Sequence, residues 1–167
     1  MTGRRHAIIP TTLGDMTLVA EENDLVGCRF PPADTSPSGD VVEPMDDAVL
    51  GPAATQLREY LDGRRTVFDL PLRTEGDEFQ QRVWTALRDI PFGQTVSYGQ
   101  LATALGGPAL ARRVGRAVGQ NPIGVFIPCH RVIGADGSLT GFGGGLARKR
   151  LLLDLEEPPE RRAARLF

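Results

Sequence analysis

The pattern of hydrophobic residues changes near the stretch RTEGDEF, residues 73–79. Before it, short apolar runs such as HAIIP, MTLVA and LVGCRF are separated by Gly, Asp and Asn, which favours strands joined by turns. After it, apolar residues recur every three or four positions, which favours amphipathic helices. We therefore expect two domains, residues 1–74 and 75–167.

The first domain is expected to combine a sheet with one helix. Strands are predicted across residues 6–30 and again in TVFDLPL, and DDAVLGPAATQLREYLDG predicts a helix that ends near Gly63. The stretch PPADTSPSGD, residues 31–40, has the composition of a flexible loop. Together these features predict a small α/β layer of the ribonuclease-H type.

The second domain is expected to be mainly helical. A helical pattern runs from Phe79 to Ile90 and stops at Pro91, and Ser97 precedes Gln100 by three positions, which predicts a capping box at the start of another helix. A GGP turn then leads to a helix with arginines on its outer face. Two short helices around a glycine turn predict a helix-turn-helix, whose second helix commonly enters a DNA groove.

The remaining stretches are the irregular NPIGVFIPCH, a short VIG strand, the loop GFGGG and a last amphipathic helix, LARKRLLLDLEE. The loop GFGGG does not predict a phosphate-binding loop, because it lacks the Lys-Ser/Thr pair of such loops. As a whole, the chain is expected to be a mixed α/β (α+β) protein.

Composition excludes several classes of protein. The chain has no apolar run near the ~20 residues that a membrane span needs and no secretory leader, so we expect a cytoplasmic protein that does not bind membranes. Only Cys28 and Cys129 are present, which excludes a disulfide framework and a Cys-rich zinc site. The net charge of −2 predicts no general attraction to anions, but Arg112, Arg113 and Arg116 form a local basic cluster.

Cys129 is followed directly by His130 in the stretch PCHRVIG. A free thiol with a pKa near ~8.5 is mostly protonated at neutral pH, so a nucleophilic cysteine needs a base or a positive environment. Neighbouring side chains point apart on regular structure, so a bridging water or the sharp turn favoured by Pro128 must connect the two. A carboxylate should orient the imidazole. The sequence offers three for that role: Asp154, Glu156 and Glu157.

From these residues alone, Cys129 is a nucleophile, a redox thiol or a small buried core residue. The run NPIGVFIPCHRVIG, with GFGGG and LARKRLLLDLE after it and FQQRVWTALRDIPFGQTVSYGQLA and ARRVGRAVGQNP before it, resembles the signature of the O6-alkylguanine-DNA alkyltransferases, also called methylated-DNA–protein-cysteine methyltransferases. The similarity covers the whole C-terminal half.

This resemblance implies direct DNA repair without a cofactor or metal. An alkyl group would pass irreversibly from O6-alkylguanine, with O4-alkylthymine as a further candidate substrate, to a protein cysteine in a single turnover. The implied partner is double-stranded DNA, bound through its minor groove with the damaged base flipped out. The protein would act as a monomer, and cooperative binding along DNA is left open.

The resemblance also implies roles for individual residues. Cys129 would accept the alkyl group as an accessible thiolate, His130 would deprotonate it through a water molecule, and Glu156 would hold the imidazole. Asn121 would brace the turn before the active-site loop. The substrate pocket would be lined by Tyr98, Val118, Leu139, Phe142 and Gly143. DNA would be contacted by Ser97, Tyr98, Arg112, Arg113 and Arg116, with Arg112 filling the gap left by the flipped base.

The chain departs from the family pattern at Phe142, where many relatives carry Tyr, and at Arg113 and Arg116, where many carry small or uncharged residues. Two rival functions remain. A lesion-binding protein of the alkyltransferase-like type would lack the acceptor cysteine, whereas Cys129 is present. A thiol hydrolase or redox enzyme would need turnover or a resolving cysteine, and Cys28 lies in the other predicted domain.

Overall fold

The computed structural model describes residues 3–31 and 39–161. The chain divides into two compact units. The first runs to Glu75 and also takes in Pro122–Phe126, and the second contains Gly76–Asn121 and the chain from Ile127 onward. Among the described residues, no helix combines the length and the apolar character that crossing a membrane requires.

The first unit is built on a mainly antiparallel sheet with strand order β3-β2-β1-β4. Its elements are β1 (Arg4–Thr11), β2 (Gly14–Glu21), β3 (Asp24–Arg29), β4 (Asp40–Val41) and helix α1 (Leu50–Leu61). Ala7 and Ile9 pair in register with Leu18 and Met16, and all four are buried. This alternation gives the sheet an apolar face, and α1 packs against β1 and β2. The strands predicted over residues 6–30 are therefore confirmed.

The strand predicted for TVFDLPL, residues 66–72, is wrong. Only Leu72 pairs there, in an isolated bridge with Leu25. The physical reason is tertiary packing: the ring of Phe68 lies with its centroid 5.2 Å from that of Tyr60 on α1. Phe68 thus packs against helix α1, and the stretch does not form a ladder of strand hydrogen bonds.

Two further predictions concern the loop and the helix of this unit. The helix expected to end near Gly63 is confirmed, because α1 ends at Leu61 and Gly63 follows with a φ of 80°. Of the loop predicted over residues 31–40, residues 32–38 lie outside the described residues. No sequence pattern predicted β4, which is only two residues long.

The second unit is mainly helical, as predicted. Its elements are α2 (Glu78–Arg88), β5 (Val96–Ser97), α3 (Tyr98–Leu105), α4 (Ala111–Gly119), β6 (Val132–Ile133) and α5 (Leu146–Glu156). The helices α2, α3 and α4 pack on one another, and the buried indole of Trp84 donates a hydrogen bond to the Ala117 carbonyl at 2.8 Å. The strands β5 and β6 pair in parallel and join the start of α3 to the segment after Cys129.

The predicted helix-turn-helix is formed by α3 and α4. Gly106 and Gly107 adopt φ angles of 148° and 152°, which L side chains rarely adopt, and so allow the turn between the helices. The capping box predicted at the start of α3 is confirmed: Ser97 Oγ accepts from the Gln100 N–H at 3.0 Å, and Gln100 Oε1 accepts from the Ser97 N–H at 2.8 Å. The cap fixes where α3 begins, and the glycine turn allows the chain to change direction before α4.

Candidate active site

The nucleophile candidate follows a tight turn. Pro128 has φ −81° and ψ 64°, and the Cys129 N–H donates to the Ile127 carbonyl at 2.8 Å, so the chain reverses directly before the cysteine. Residues Cys129–Arg131 then form one turn of 3-10 helix. Asn121 Nδ2 donates to the same Ile127 carbonyl at 2.8 Å. The irregular turn predicted at Pro128 is confirmed, and Asn121 binds its backbone.

The structure selects one carboxylate for the imidazole. Nε2 of His130 lies 2.7 Å from Oε2 of Glu156, and the side chains are 0% and 2% exposed. Glu156 comes from the end of α5 and His130 from the turn, so the pair joins two segments that are distant in sequence. Sequence reasoning could not separate Glu156 from its acidic neighbours, because all of them lie within one helical turn of each other.

Arg131 completes this buried cluster and was missed by sequence reasoning. Its Nε donates to Glu156 Oε1 at 2.8 Å and its Nη2 to Oε2 at 2.9 Å, which is the two-pronged geometry of a strong guanidinium–carboxylate pair. Its Nη1 donates to the Ile90 carbonyl at 2.6 Å. The available signal was chemical: a buried carboxylate needs a cation, and Arg131 follows His130 directly.

The charge states of this cluster follow from burial and pairing. Burial by itself would raise the pKa of Glu156, but hydrogen bonds from His130 and Arg131 outweigh it and lower that pKa to about 2. Burial lowers the pKa of His130, and the hydrogen bond and charge of Glu156 offset this only in part. At neutral pH the cluster therefore holds an ionised carboxylate and a neutral imidazole, which is the form that a base requires.

Cys129 itself is less accessible than its implied role requires. The residue is 8% exposed, and burial raises the pKa of its thiol, while a hydrogen bond with Asn121 and the charge of Lys149 act to lower it. The expectation of an accessible thiolate is thus corrected for the resting protein, because the loss of hydration disfavours the anion more than its neighbours favour it. A proton must be removed before the sulfur can attack.

Lys149 is the only lysine among the 19 basic residues of the chain, and sequence reasoning missed it. The side chain on α5 is fully buried, and Nζ donates to the carbonyls of Val132 at 2.6 Å and Thr140 at 3.0 Å. The Tyr98 hydroxyl also donates to the Thr140 carbonyl, at 3.3 Å. Lys149 therefore connects three parts of the site: the segment after the cysteine, the glycine-rich loop and the start of α3.

The residues expected to line the substrate pocket lie on several elements. Tyr98 is half-buried at the first position of α3, and Val118 is buried on α4. Leu139 is half-buried and lines a cavity of about 170 Å³ together with Glu156, but neither Cys129 nor the other expected pocket residues line that cavity. Phe142 is half-buried and Gly143 is exposed on the glycine-rich loop.

The predicted DNA-contacting arginines are exposed on α4, but they are not equivalent. The guanidinium carbon of Arg113 lies 4.0 Å from the centroid of the Phe79 ring, at the start of α2. Arg112 and Arg116 are exposed on the same helix. Ser97, also expected at the DNA, uses its hydroxyl as the cap of α3.

Comparisons with known proteins match both halves of the chain. The family described as "6-O-methylguanine DNA methyltransferase, ribonuclease-like domain" matches residues 5–74, and "6-O-methylguanine DNA methyltransferase, DNA binding domain" matches residues 78–158. A methylated-DNA–protein-cysteine methyltransferase of Mycobacterium tuberculosis is 46% identical over 152 residues, which cover 91% of this chain and 92% of the relative. A further relative, the inducible methylated-DNA–protein-cysteine methyltransferase of Bacillus subtilis, is 44% identical over 150 residues, 89% of this chain and 83% of the relative.

Solved structures agree with these matches. The crystal structure of Mycobacterium tuberculosis OGT in complex with DNA superposes with a TM-score of 0.83 at 43% identity, covering 94% of this chain and 97% of the other. An O6-methylguanine DNA methyltransferase from Methanococcus jannaschii has a TM-score of 0.66 at 31% identity, with coverage of 89% and 92%.

Proposed function

This chain belongs to the 6-O-methylguanine DNA methyltransferase family, and from that membership we propose that it repairs DNA by moving an alkyl group from O6-alkylguanine onto Cys129. The activity is that of a methylated-DNA–protein-cysteine methyltransferase. The observation that carries the assignment to Cys129 is the buried contact of 2.7 Å between Glu156 and His130, the residue that directly follows Cys129. It supplies a neutral, oriented base next to a cysteine.

The first step is removal of the thiol proton. The Nε2 of His130 is engaged with Glu156, so the other ring nitrogen, Nδ1, takes the proton of Cys129 through a water molecule. The Glu156 carboxylate stabilises the imidazolium that results, as the carboxylate does in other nucleophile–histidine–acid sites. Because burial raises the thiol pKa, the anion forms when this base acts and is scarce before.

The second step is displacement at the alkyl carbon. The sulfur anion forms a bond to that carbon, and the bond from the carbon to O6 of guanine breaks. Negative charge develops on the departing guanine, and the Tyr98 hydroxyl supplies a proton to it, which solvent then replaces. The product thioether has no route back to the thiol, so each molecule reacts once and needs no cofactor.

Access to O6 requires the damaged nucleotide to leave the base stack. We place the protein on the minor groove of duplex DNA as a monomer, with Arg112 in the gap and Arg116 at the phosphates. Val118, Leu139, Phe142 and Gly143 would then line the pocket of the flipped base, and Asn121 would brace the turn. In this scheme residues 75–167 carry out the reaction and residues 1–74 support it. The structure of the 43% identical Mycobacterium tuberculosis OGT with DNA supports DNA as the partner.

The test is a reaction with duplex DNA that carries a single O6-methylguanine. We expect the peptide containing Cys129 to gain one methylene group by mass, in a one-to-one ratio with repaired DNA. A Cys28→Ser protein is the control and should react at the wild-type rate, while Cys129→Ser should still bind the lesion but transfer nothing. Repair with an unmodified Cys129 peptide would contradict the assignment, and binding without transfer by the wild type would indicate a lesion-binding protein.

A further inference from the structure

The five residues that lead to the active-site turn belong to the first unit. Pro122–Phe126 groups with the sheet of that unit, whereas Asn121 before it and Ile127 after it belong to the second. The Cys28 N–H donates to the Pro122 carbonyl at 3.0 Å, and the Gly124 N–H donates to the Cys28 carbonyl at 3.3 Å. The stretch therefore adds a short parallel bridge beside β3.

Aromatic packing holds the other end of this stretch. Phe126 is 5% exposed, and its ring centroid lies 4.5 Å from that of Phe68. Phe68 in turn contacts Tyr60 of α1 at 5.2 Å. Phe68 is thus the central member of a cluster of three tilted rings that holds the stretch against the helix of the first unit.

Between these two attachments the backbone is strained. Val125 has a φ of 71°, a conformation that β-branched residues rarely adopt. The Phe126 N–H donates to the Gly124 carbonyl at 2.9 Å and closes a three-residue turn around Val125. Such a conformation persists only when its surroundings enforce it. The strand bridge on one side and the cluster of three rings on the other provide that constraint.

The constrained stretch ends at a carbonyl that organises the site. The Ile127 carbonyl accepts from Asn121 Nδ2 at 2.8 Å and from the Cys129 N–H at 2.8 Å. We propose that the first unit positions the nucleophile, because Phe68 fixes Phe126 and thereby the Ile127 carbonyl on which Asn121 and Cys129 are arranged. Phe68 is a positioning residue in this scheme and does not contact the reacting atoms.

This inference rests on the proposed function only where alkyl transfer is measured. The thiol can be followed without it, since iodoacetamide alkylates Cys129 whatever the natural substrate is. Asn121 also acts to lower the thiol pKa. If the Ile127 carbonyl is no longer held in position, the midpoint of the alkylation profile should therefore move to higher pH. A general loss of stability should not shift this midpoint.

The experiment compares Phe68→Ala with Ile9→Ala, a fully buried residue of β1, two strands away from β3. Three quantities are measured: the melting temperature, the rate of transfer from free O6-benzylguanine, and the pH profile of iodoacetamide alkylation at the Cys129 peptide. Phe68→Ala should slow transfer on the order of tenfold and shift the alkylation profile to higher pH. Ile9→Ala should change the transfer rate by less than about twofold, although it lowers the melting temperature at least as much.

Phe68→Leu, which keeps an apolar side chain of similar length, should recover most of the rate. If Phe68→Ala does not fold, Phe126→Leu tests the same cluster of rings. Equal transfer rates and equal pH profiles for the Phe68 and Ile9 variants would overturn the proposal. If wild-type protein transfers no alkyl group, the proposed function fails, and the iodoacetamide profiles still decide whether Phe68 positions the thiol.

Discussion

At the scale of single residues, burial favours the neutral form of both Cys129 and His130. It raises the pKa of the Cys129 thiol and lowers the pKa of the His130 imidazole, so both groups are neutral at rest. A neutral thiol is a poor nucleophile and resists unwanted alkylation or oxidation. The charged form is then made where Asn121 and Lys149 can stabilise it.

Lys149 is the residue whose charge can be tested most directly. In wild-type protein, the rate of iodoacetamide alkylation of Cys129 should rise with pH until the raised thiol pKa is passed. Lys149→Met removes a positive charge that acts to lower that pKa, so the midpoint of the profile should move to higher pH. The variant should also lose about 1–3 kcal/mol of unfolding free energy, because the carbonyl of the buried Val132 loses its Lys149 donor. The exposed Thr140 carbonyl still accepts from the Tyr98 hydroxyl.

The matched control is Arg150→Met, which removes a charge from the adjacent, exposed position of α5. Its alkylation profile and its unfolding free energy should match those of the wild type. An unchanged midpoint in Lys149→Met would show that the ammonium group does not act on the thiol.

At the scale of the elements, α4 carries exposed arginines with different surroundings. The Arg113 guanidinium lies over Phe79 of α2, so it contributes to the packing of two helices. Such a contact at an exposed site is worth about 0.5–1 kcal/mol. The exposed position of Arg116 on α4 suits contact with a phosphate instead.

A pair of alanine variants separates these roles. Arg116→Ala should weaken binding to duplex DNA and reduce the salt dependence of the binding constant by about one phosphate contact. Arg113→Ala should instead lower the unfolding free energy by about 0.5–1 kcal/mol and leave the salt dependence nearly unchanged. Binding isotherms at several salt concentrations and denaturant unfolding measure both, and a loss of salt dependence in Arg113→Ala equal to that in Arg116→Ala would argue against this division.

The elements also show which features a sequence can reveal. The cap of α3 depends on Ser97 and Gln100, three positions apart, and local chemistry is enough to predict it. The failure at residues 66–72 has the opposite cause, since Phe68 joins Tyr60 on a helix that precedes it and no local pattern encodes that contact. Glu156, Arg131 and Lys149 form the site through contacts across many positions, so residue type alone could not distinguish them from surface charges.

At the scale of the whole molecule, each unit has, within the described part of the chain, one carboxylate whose pKa is lowered to about 2. In the second unit it is Glu156, held by His130 and Arg131. In the first it is Asp47, where burial works against the shift but the hydrogen bond from Arg5 and the backbone N–H groups of Leu50 and Val49 prevail. Each carboxylate therefore accepts hydrogen bonds from cationic or backbone groups of its own unit.

These shifts predict a specific sensitivity to acid. Both folded-state pKa values lie below the ordinary 3.8 of Asp and 4.5 of Glu, so the stability they contribute is present above pH 4.5 and is lost as the pH falls toward 2. For the buried Glu156 the loss should be about 2–3 kcal/mol of unfolding free energy. Denaturant unfolding at a series of pH values measures it.

Asp47→Asn supplies the comparison. It should reduce the slope of unfolding free energy against pH by the contribution of roughly one titrating proton and leave Cys129 unchanged. An unfolding free energy that stays constant across this acid range would show that the two networks do not stabilise the fold.

The burial of Lys149 allows the opening of the protein interior to be measured in solution. Every other basic side chain is an arginine or a histidine, and neither is a target for reagents that acylate lysine. Because the Lys149 side chain is buried, an acylating reagent in the surrounding buffer can react with it only when the interior around α5 opens. The rate at which the Lys149 peptide becomes acylated should report how often the molecule exposes the heart of its active site.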